Sequence, residues 1–192
     1  DGVDELSDFY AYDPSSNSWS PIAALPDTKR RSAVDFGANG YGYFGTGYDG
    51  ENDLKDFWKY DPTADTWTEL QGFGGNKRRS ATTFTINGLV YLGTGVSNGV
   101  YLDDFWVFDP TTESWTKKLD LDEEDDYDVA RSNAVGFELN GYGYMSCGEQ
   151  SGATNTVWEY DPSSDTWEQK TSFEGSTRQD AIAFSNSSRA FI

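Results

Sequence analysis

Histidine is absent from the 192-residue chain, and cysteine and methionine occur once each. Without histidine, the chain cannot supply a histidine-dependent catalytic triad or the imidazole ligands of common zinc sites. The single cysteine, Cys147, cannot form a disulfide within the chain, and we expect it to be a small buried apolar side chain. No stretch approaches the roughly 18 apolar residues of a membrane-spanning helix, so no transmembrane segment is predicted.

Basic residues are also few, with 14 Lys and Arg against 33 Asp and Glu, for a net charge of −19. This balance argues against a nucleic-acid partner and against binding to an anionic membrane surface, because both require a basic surface. Aromatic residues, in contrast, make up 16 % of the chain, and there are 20 glycines. Large aromatic side chains and many turns are typical of a β-rich protein.

One phrase occurs four times, and "DFWKYDPTADTWTEL" from Asp56 is its clearest copy. The copies contain Trp19, Trp67, Trp115 and Trp167, which are spaced by 48, 48 and 52 residues. A second phrase, "RRSATTFTINGLVYLGTG" in one copy, begins at Arg30, Arg78, Arg131 and Arg178. The third interval is longer because it contains the acidic run "LDLDEEDDYDV". A regular period of this length predicts a repeat architecture.

Each unit is expected to contain four short antiparallel strands. In the first unit, the strands Ala33–Phe36 and Tyr41–Gly45 flank an Asn-Gly turn, and Asp56–Tyr60 and Thr66–Leu70 flank an Asp-Pro turn. Four strands in about 48 residues are typical of a propeller blade, and no apolar stripe with the period of a helix interrupts them. The predicted fold class is therefore an all-β propeller of four-stranded blades, with three complete units and two half units.

The units resemble kelch repeats, in which an arginine, a strand ending at glycines, and a tyrosine-Asp-Pro strand precede a tryptophan. The motifs "DFWxYDP" and "GTG" most resemble those of secreted or surface kelch proteins of bacteria. The sequence departs from the usual diglycine at Gly45-Thr46-Gly47 and at Ser146-Cys147-Gly148. The copper oxidases of related architecture, such as galactose oxidase, use histidine ligands, which this chain cannot supply. The resemblance implies a rigid scaffold whose loops carry the function.

The complete blades are expected at about 29–70, 77–119 and 130–170, with half blades at 1–22 and 177–192, all in a single domain. Two interpretations of this pattern remain open. The half blades could share one closing blade, which would give a four-bladed ring, or the chain could be a segment of a larger propeller. Closure by a shared blade would leave no exposed strand edges.

Candidate site residues lie at the predicted mouth of the central channel. In each unit the arginine that starts the second phrase shares this face with the loops 46–55, 94–103 and 148–155, whereas the Asp-Pro turns face away. The four recurring tryptophans are interpreted as structural. The four recurring arginines are also interpreted as structural, with Asp8, Asp56 or Asp104 as ion-pair partners, and a cationic ring at the channel mouth for a carboxylate, a sulfate or an acidic peptide is the alternative. Positions at which the copies disagree are the better candidates for ligand binding: Arg31, Arg79, Tyr48, Asp49, Asn52, Tyr101, Gln150 and Gln179.

The function predicted from these features is non-enzymatic, with the mouth loops binding a protein or a glycan outside the cell or at its surface. An enzyme acting on an acidic sugar, as in kelch-type sialic acid epimerases, is the alternative, and a structural subunit of a surface complex is a third. No catalytic residue and no cofactor is assigned. The acidic run offers oxygen ligands for Ca²⁺ at Asp120, Asp122, Glu124 and Asp126, although it lacks the glycine of an EF-hand loop, and a solvated charge run is the other interpretation.

Overall fold

The structure is a computed structural model that describes residues 5–121 and 129–192. Within these ranges the secondary structure consists of β-strands joined by turns. The first hairpin pairs β1 (Phe9–Asp13) with β2 (Ser18–Ile22) and is called the N-terminal half-blade. The first complete blade follows as the four-stranded antiparallel sheet β3 (Val34–Ala38), β4 (Tyr41–Gly45), β5 (Phe57–Asp61) and β6 (Thr66–Glu69).

The second blade contains β7 (Thr82–Ile86) and β8 (Leu89–Gly93), then a small hairpin of β9 (Val96–Ser97) and β10 (Val100–Tyr101), then β11 (Phe105–Asp109) and β12 (Ser114–Lys117). The third blade contains β13 (Val135–Leu139), β14 (Tyr142–Ser146), β15 (Val157–Asp161) and β16 (Thr166–Lys170). The C-terminal half-blade pairs β17 (Phe184–Ser185) with β18 (Ala190–Phe191). The predicted fold class, with three complete units and two half units, is confirmed.

The turns follow from the residues that the repeat places there. Asn39 and Gly40 have φ angles of 51° and 81°, and the equivalent Asn-Gly pairs of the next two blades adopt the same conformation. Positive φ at both central residues is the two-residue hairpin turn that matches the right-handed twist of strands. In each Asp-Pro turn the aspartate accepts hydrogen bonds from backbone amides further along, as Asp61 does from Thr63 at 2.8 Å.

The hydrophobic core lies between consecutive blades. One cluster joins Tyr43 and Phe57 of the first blade to Leu92 and Phe108 of the second. The other joins the second blade to Met145, Trp158 and Tyr160 of the third. The innermost strands of all three blades and residues 181–183 line a common cavity of about 620 Å³, which is the central channel. This packing places the start of each innermost strand at the mouth of the channel.

The two half-blades are separate two-stranded sheets, and no described hydrogen bond joins β1 or β2 to β17 or β18. The closing blade shared within one molecule therefore stays a prediction. Cys147 is fully buried, as expected for a small apolar side chain, and its φ of 61° is tolerated where the usual kelch sequence has glycine.

Candidate functional site

In the first two units, the recurring arginine binds the aspartate 26 residues further along the chain. Arg30 donates from Nη1 and Nη2 to Asp56 Oδ1 and Oδ2 at 2.7 and 2.6 Å, and Arg78 binds Asp104 in the same way at 2.7 and 2.7 Å. Both arginine side chains are fully buried. This two-point pairing ties the innermost strand of a blade to its third strand.

These partly buried aspartates remain charged because of their partners. Burial raises the pKa of Asp56 and of Asp104, but the hydrogen bonds and positive charge of the paired arginine outweigh it, so that each pKa lies below its usual value. A tryptophan indole adds a further hydrogen bond, from Trp58 to Asp56 at 2.5 Å and from Trp106 to Asp104 at 2.9 Å.

The other two recurring arginines lie in different surroundings. Arg131 donates from Nη1 to Thr156 Oγ1 at 2.8 Å, because threonine replaces the aspartate in that unit. Arg178 stacks on Phe173, with 4.7 Å from Cζ to the ring centroid, and donates from Nε to the Ser176 carbonyl at 3.1 Å. Arg178 forms no ion pair with any described residue, and the same holds for Asp8.

The recurring tryptophans link neighbouring blades. Trp67 Nε1 donates to the Ala23 carbonyl at 2.8 Å, and Trp167 Nε1 donates to the Leu119 carbonyl at 3.2 Å. Trp115 is partly buried, and its Nε1 has no hydrogen-bond partner among the described residues. Trp19 differs from all of these because 68 % of it is exposed.

The two arginines that do not recur enclose a tyrosine at the mouth of the channel. Arg31 and Arg79 place Cζ 5.0 and 4.7 Å from the Tyr48 ring centroid, so that cations of two adjacent blades contact one ring. Each arginine also binds one carboxylate through Nη1, Arg31 to Glu5 at 2.7 Å and Arg79 to Asp53 at 2.6 Å. Their side chains remain 46 % and 32 % exposed, which leaves further guanidinium donors open to solvent.

A second group forms at the mouth around Glu149, which occupies in the third blade the position that Tyr48 occupies in the first. The Tyr101 hydroxyl lies 3.5 Å from Glu149 Oε1, at the outer limit for a hydrogen bond. With its amide turned to donate, the Gln179 nitrogen lies 2.5 Å from Glu149 Oε2. The mouth therefore presents an aromatic ring and two carboxylate-paired arginines beside Tyr48, and a carboxylate at Glu149.

Three other predicted residues lie in the loops of this face. Asp49 Oδ1 accepts hydrogen bonds from the backbone amides of Glu51 and Asn52 at 2.8 and 2.6 Å, and these bonds hold the pKa of Asp49 below its usual value. The described hydrogen bonds of Asp49 and Asn52 thus organise the loop 49–52. Gln150 lines a cavity of about 170 Å³ beside Arg131 and Thr154.

Sequence reasoning missed Glu5, Asp53 and Glu149. Asp53 and Glu149 stand at positions where the copies differ, since the residues equivalent to Asp53 are Tyr101 and Ala153. The same criterion that selected Arg31 could therefore have found them. Glu5 lies before the first recognisable phrase of the repeat, so no comparison between copies points to it.

The calcium prediction falls mostly outside the described residues, because Asp122, Glu124 and Asp126 lie there. Asp120 is described, and its Oδ2 accepts a hydrogen bond from Lys117 Nζ at 2.9 Å. Residues 5–121 and 129–192 contain no group of three or more acidic or cysteine side chains arranged to hold a metal ion. Within the same ranges, no helix is long and apolar enough to cross a membrane.

Repeated four-stranded blades around a channel, each fastened by a buried arginine, define a β-propeller. Residues 1–148 match the family described as the KLHDC2/KLHL20/DRC7 Kelch-repeats domain. The chain therefore belongs to the kelch-repeat family.

One similar solved structure, described as "Structure of YjhT", has a TM-score of 0.69 and 18 % sequence identity, and the match covers 91 % of this chain and 68 % of that chain. At this identity the likeness shows the fold alone. A comparison with curated protein sequences gave no significant match.

Proposed function

We propose that this kelch propeller is a non-enzymatic interaction module that binds a protein partner through the mouth of its channel. The observation that carries the proposal is the arrangement of Arg31, Tyr48 and Arg79. The buried arginines of the first two blades use their guanidinium groups to hold the scaffold together. The arginines beside Tyr48 are not required by the repeat, and they remain partly exposed.

The chemistry of this group favours a partner that presents a carboxylate or another acidic group. Arg31 and Arg79 each use Nη1 for an internal carboxylate, so the remaining donors of each fork can bind an oxygen pair of the ligand. The face of Tyr48 is already covered by the two guanidinium groups. A partner would therefore contact the outer side of this stack, and Glu149 across the mouth would reject a second acidic group.

The test is binding of the purified chain to displayed peptides rich in Asp and Glu, and in parallel to a glycan array. Wild-type protein is compared with Arg79→Ala and with Arg189→Ala, because Arg189 lies beside the β17–β18 turn and forms no ion pair with a described residue. We expect peptide binding that weakens about tenfold or more in Arg79→Ala and stays unchanged in Arg189→Ala.

Equal binding by Arg79→Ala and wild type would refute the role of this group. Binding to glycans alone would assign the same surface to a glycan partner. The alternative, an enzyme acting on an acidic sugar, would use the same arginines. Turnover of a sialic acid, at a rate that falls in Arg79→Ala, would support this alternative in place of the binding function.

We further propose that the protein acts outside the cell or at its surface, as a relative of the secreted kelch proteins of bacteria that share propeller architecture with galactose oxidase but not its copper site. The sequence motifs "DFWxYDP" and "GTG" support this location. Protease treatment of intact cells producing the full-length protein tests it. Digestion before lysis is expected, and protection until lysis would contradict the proposal.

A further inference from the structure

The sequence contains four asparagines that are followed directly by glycine, and each pair forms a hairpin turn. Asn39, Asn87 and Asn140 join the first and second strands of the three complete blades, whereas Asn98 joins β9 to β10. All four asparagines are exposed, and both residues of each pair have positive φ. Chain neighbours aside, no described heavy atom lies within 4 Å of the point where a Cβ would stand on these glycines. The four turns are therefore open to solvent.

An Asn-Gly pair can undergo a reaction without any enzyme. The backbone nitrogen of the glycine attacks the side-chain amide carbon of the asparagine and a C–N bond forms. The side-chain nitrogen leaves as ammonia, which carries away the proton lost by the glycine nitrogen. Water then opens the succinimide ring to aspartate or isoaspartate, so that a neutral side chain becomes a carboxylate. Glycine favours the ring closure because it has no Cβ to hinder it.

The four glycine amides differ in what they bind. Gly141 N donates to Glu138 Oε1 at 2.7 Å. The attacking species is the deprotonated amide, which is disfavoured both by a hydrogen bond that holds the proton and by a nearby negative charge. No described hydrogen bond involves the other three glycine amides. The turn of the third blade is therefore protected, because the residues that correspond to Glu138 in the other turns are Gly37, Thr85 and Val96.

The turns also differ in how firmly their hairpins are held. The strands on either side of Asn39 and of Asn87 pair over five residues and belong to four-stranded sheets. β9 and β10 pair over only two residues and form a sheet of their own. Ring closure requires rotation of the backbone around the asparagine, which the paired strands resist. Because a short, separate hairpin opens more readily than one within a blade, Asn98 is the turn asparagine best placed to react.

The turn at Asn98 is fastened to one of the arginines of the channel mouth. The Asn98 amide donates to Asp53 Oδ2 at 2.6 Å, and Arg79 Nη1 donates to Asp53 Oδ1 at 2.6 Å. The Asp53 side chain is 1 % exposed, so a single buried carboxylate joins the turn to Arg79. The backbone of Arg79 also pairs with Val96 at the base of the same hairpin. A chemical change at Asn98 therefore acts on the hairpin that holds Arg79 in place.

We propose that Asn98 is a site of spontaneous deamidation, and that its conversion to aspartate or isoaspartate lowers the affinity of the mouth for an acidic partner. The new negative charge offsets part of the positive potential of Arg79. Isoaspartate also adds one carbon atom to the backbone and so disturbs the two-residue turn. The effect on affinity rests on the proposed function, whereas the reaction itself does not.

The first test is incubation of the purified protein at mildly alkaline pH, followed by peptide mapping with mass spectrometry that distinguishes asparagine, aspartate and isoaspartate. We expect conversion at Asn98 to be several-fold faster than at Asn39 and Asn87, and conversion at Asn140 to be the slowest. Conversion at Asn98 that is no faster than at the turns of the blades would overturn the proposal.

Variants of Glu138 test the physical reason for this order. Glu138→Ala frees the Gly141 amide and should raise the rate at Asn140 to that of the turns of the first two blades. Glu138→Gln keeps a hydrogen-bond acceptor but removes the charge, so it should give a smaller increase. An unchanged rate at Asn140 in Glu138→Ala would refute protection by this hydrogen bond.

The second test measures binding to acidic peptides by Asn98→Asp and by wild-type protein that has been incubated until Asn98 is converted. We expect each to bind about threefold or more weakly than fresh protein, as one added surface charge would cause. Asn39→Asp is the matched control and should bind normally, because its turn follows the far end of the innermost strand.

The two proposals fail in different ways. Normal binding by Asn98→Asp, with weakened binding by Arg79→Ala, would refute the effect of deamidation and leave the proposed function standing. Fresh wild-type protein that binds no acidic peptide would refute the proposed function and with it the effect on affinity. The order of conversion rates would still decide whether Asn98 is the site of deamidation.

Discussion

The buried ion pair between Arg78 and Asp104 is expected to dominate the stability of the second blade. The Asp104→Asn substitution keeps the size of the side chain but removes its charge. Arg78 is fully buried, so the substitution leaves a buried cation without its counter-ion. Removing one partner of such a pair typically costs about 3–5 kcal/mol. We expect about 3 kcal/mol here, because the Thr94 and Asn76 carbonyls still accept hydrogen bonds from Arg78 at 2.8 and 3.1 Å.

The measurement is the denaturant midpoint and the melting temperature of the variant against wild type. In a chain of this length, about 3 kcal/mol corresponds to a fall of about 6–12 °C. Asp35→Asn is the matched control, because Asp35 is an exposed aspartate in a strand and no described hydrogen bond involves its carboxylate. A loss below about 1 kcal/mol, or one equal to that of the control, would refute the assignment of the pair as a buried fastening.

The same pair predicts a pH dependence of definite sign. Because the pKa of Asp104 is lower in the folded than in the unfolded protein, the folded state holds this proton less tightly. The contribution is therefore complete above the unfolded pKa of about 4 and is lost as the pH falls through the folded pKa. The difference in stability between wild type and Asp104→Asn should shrink below about pH 4. A difference that stays constant down to pH 2 would contradict the electrostatic explanation.

Two further predictions concern packing and hydrogen bonding between blades. Gly143→Ala should destabilise the protein by about 1–3 kcal/mol, because the new methyl group overlaps the Phe84 ring, whereas Gly42→Ala at the equivalent strand position meets only ordinary contacts and should be within about 0.5 kcal/mol of wild type. Equal denaturant midpoints for the two alanine variants would contradict this packing. Tyr160→Phe removes the hydrogen bond to Asp165 of 2.6 Å and should cost about 1 kcal/mol, whereas Tyr142→Phe, which changes a partly exposed ring without a described hydroxyl partner, should have no measurable effect.

The repeated part of the fold could be predicted from the sequence because the same local signals occur in every unit. Asn-Gly turns, Asp-Pro turns and alternating aromatic residues determine the hairpins, and the strand Tyr41–Gly45 has the predicted bounds. The third strand begins at Phe57, one residue after the expected Asp56, because its ladder with β4 begins with Phe57 opposite Gly45. Asp56 instead turns its carboxylate toward Arg30.

The contents of the mouth were harder to predict, because its contacts join residues that are distant in sequence. Arg79 is a candidate because the copies disagree at its position, but its carboxylate partner Asp53 is 26 residues away and contributes to no recurring phrase. The enclosure of Tyr48 by two arginines depends on the distance between adjacent blades, and no spacing in the sequence reports that distance. The sequence therefore indicates which positions vary, while the combination of their side chains is a property of the folded chain.

One backbone position at the mouth carries a different side chain in each blade, and this difference affects what the mouth can recognise. Tyr48, Val96 and Glu149 occupy equivalent bridges beside the start of successive innermost strands. The backbone at the mouth is therefore nearly symmetric around the channel, but its charge is not, since arginines flank the first position and a carboxylate stands at the third. A partner with one acidic group would be attracted by Arg31 and Arg79 and repelled by Glu149. Under the proposed function, the orientation of the partner is therefore set by the few residues that break the repeat.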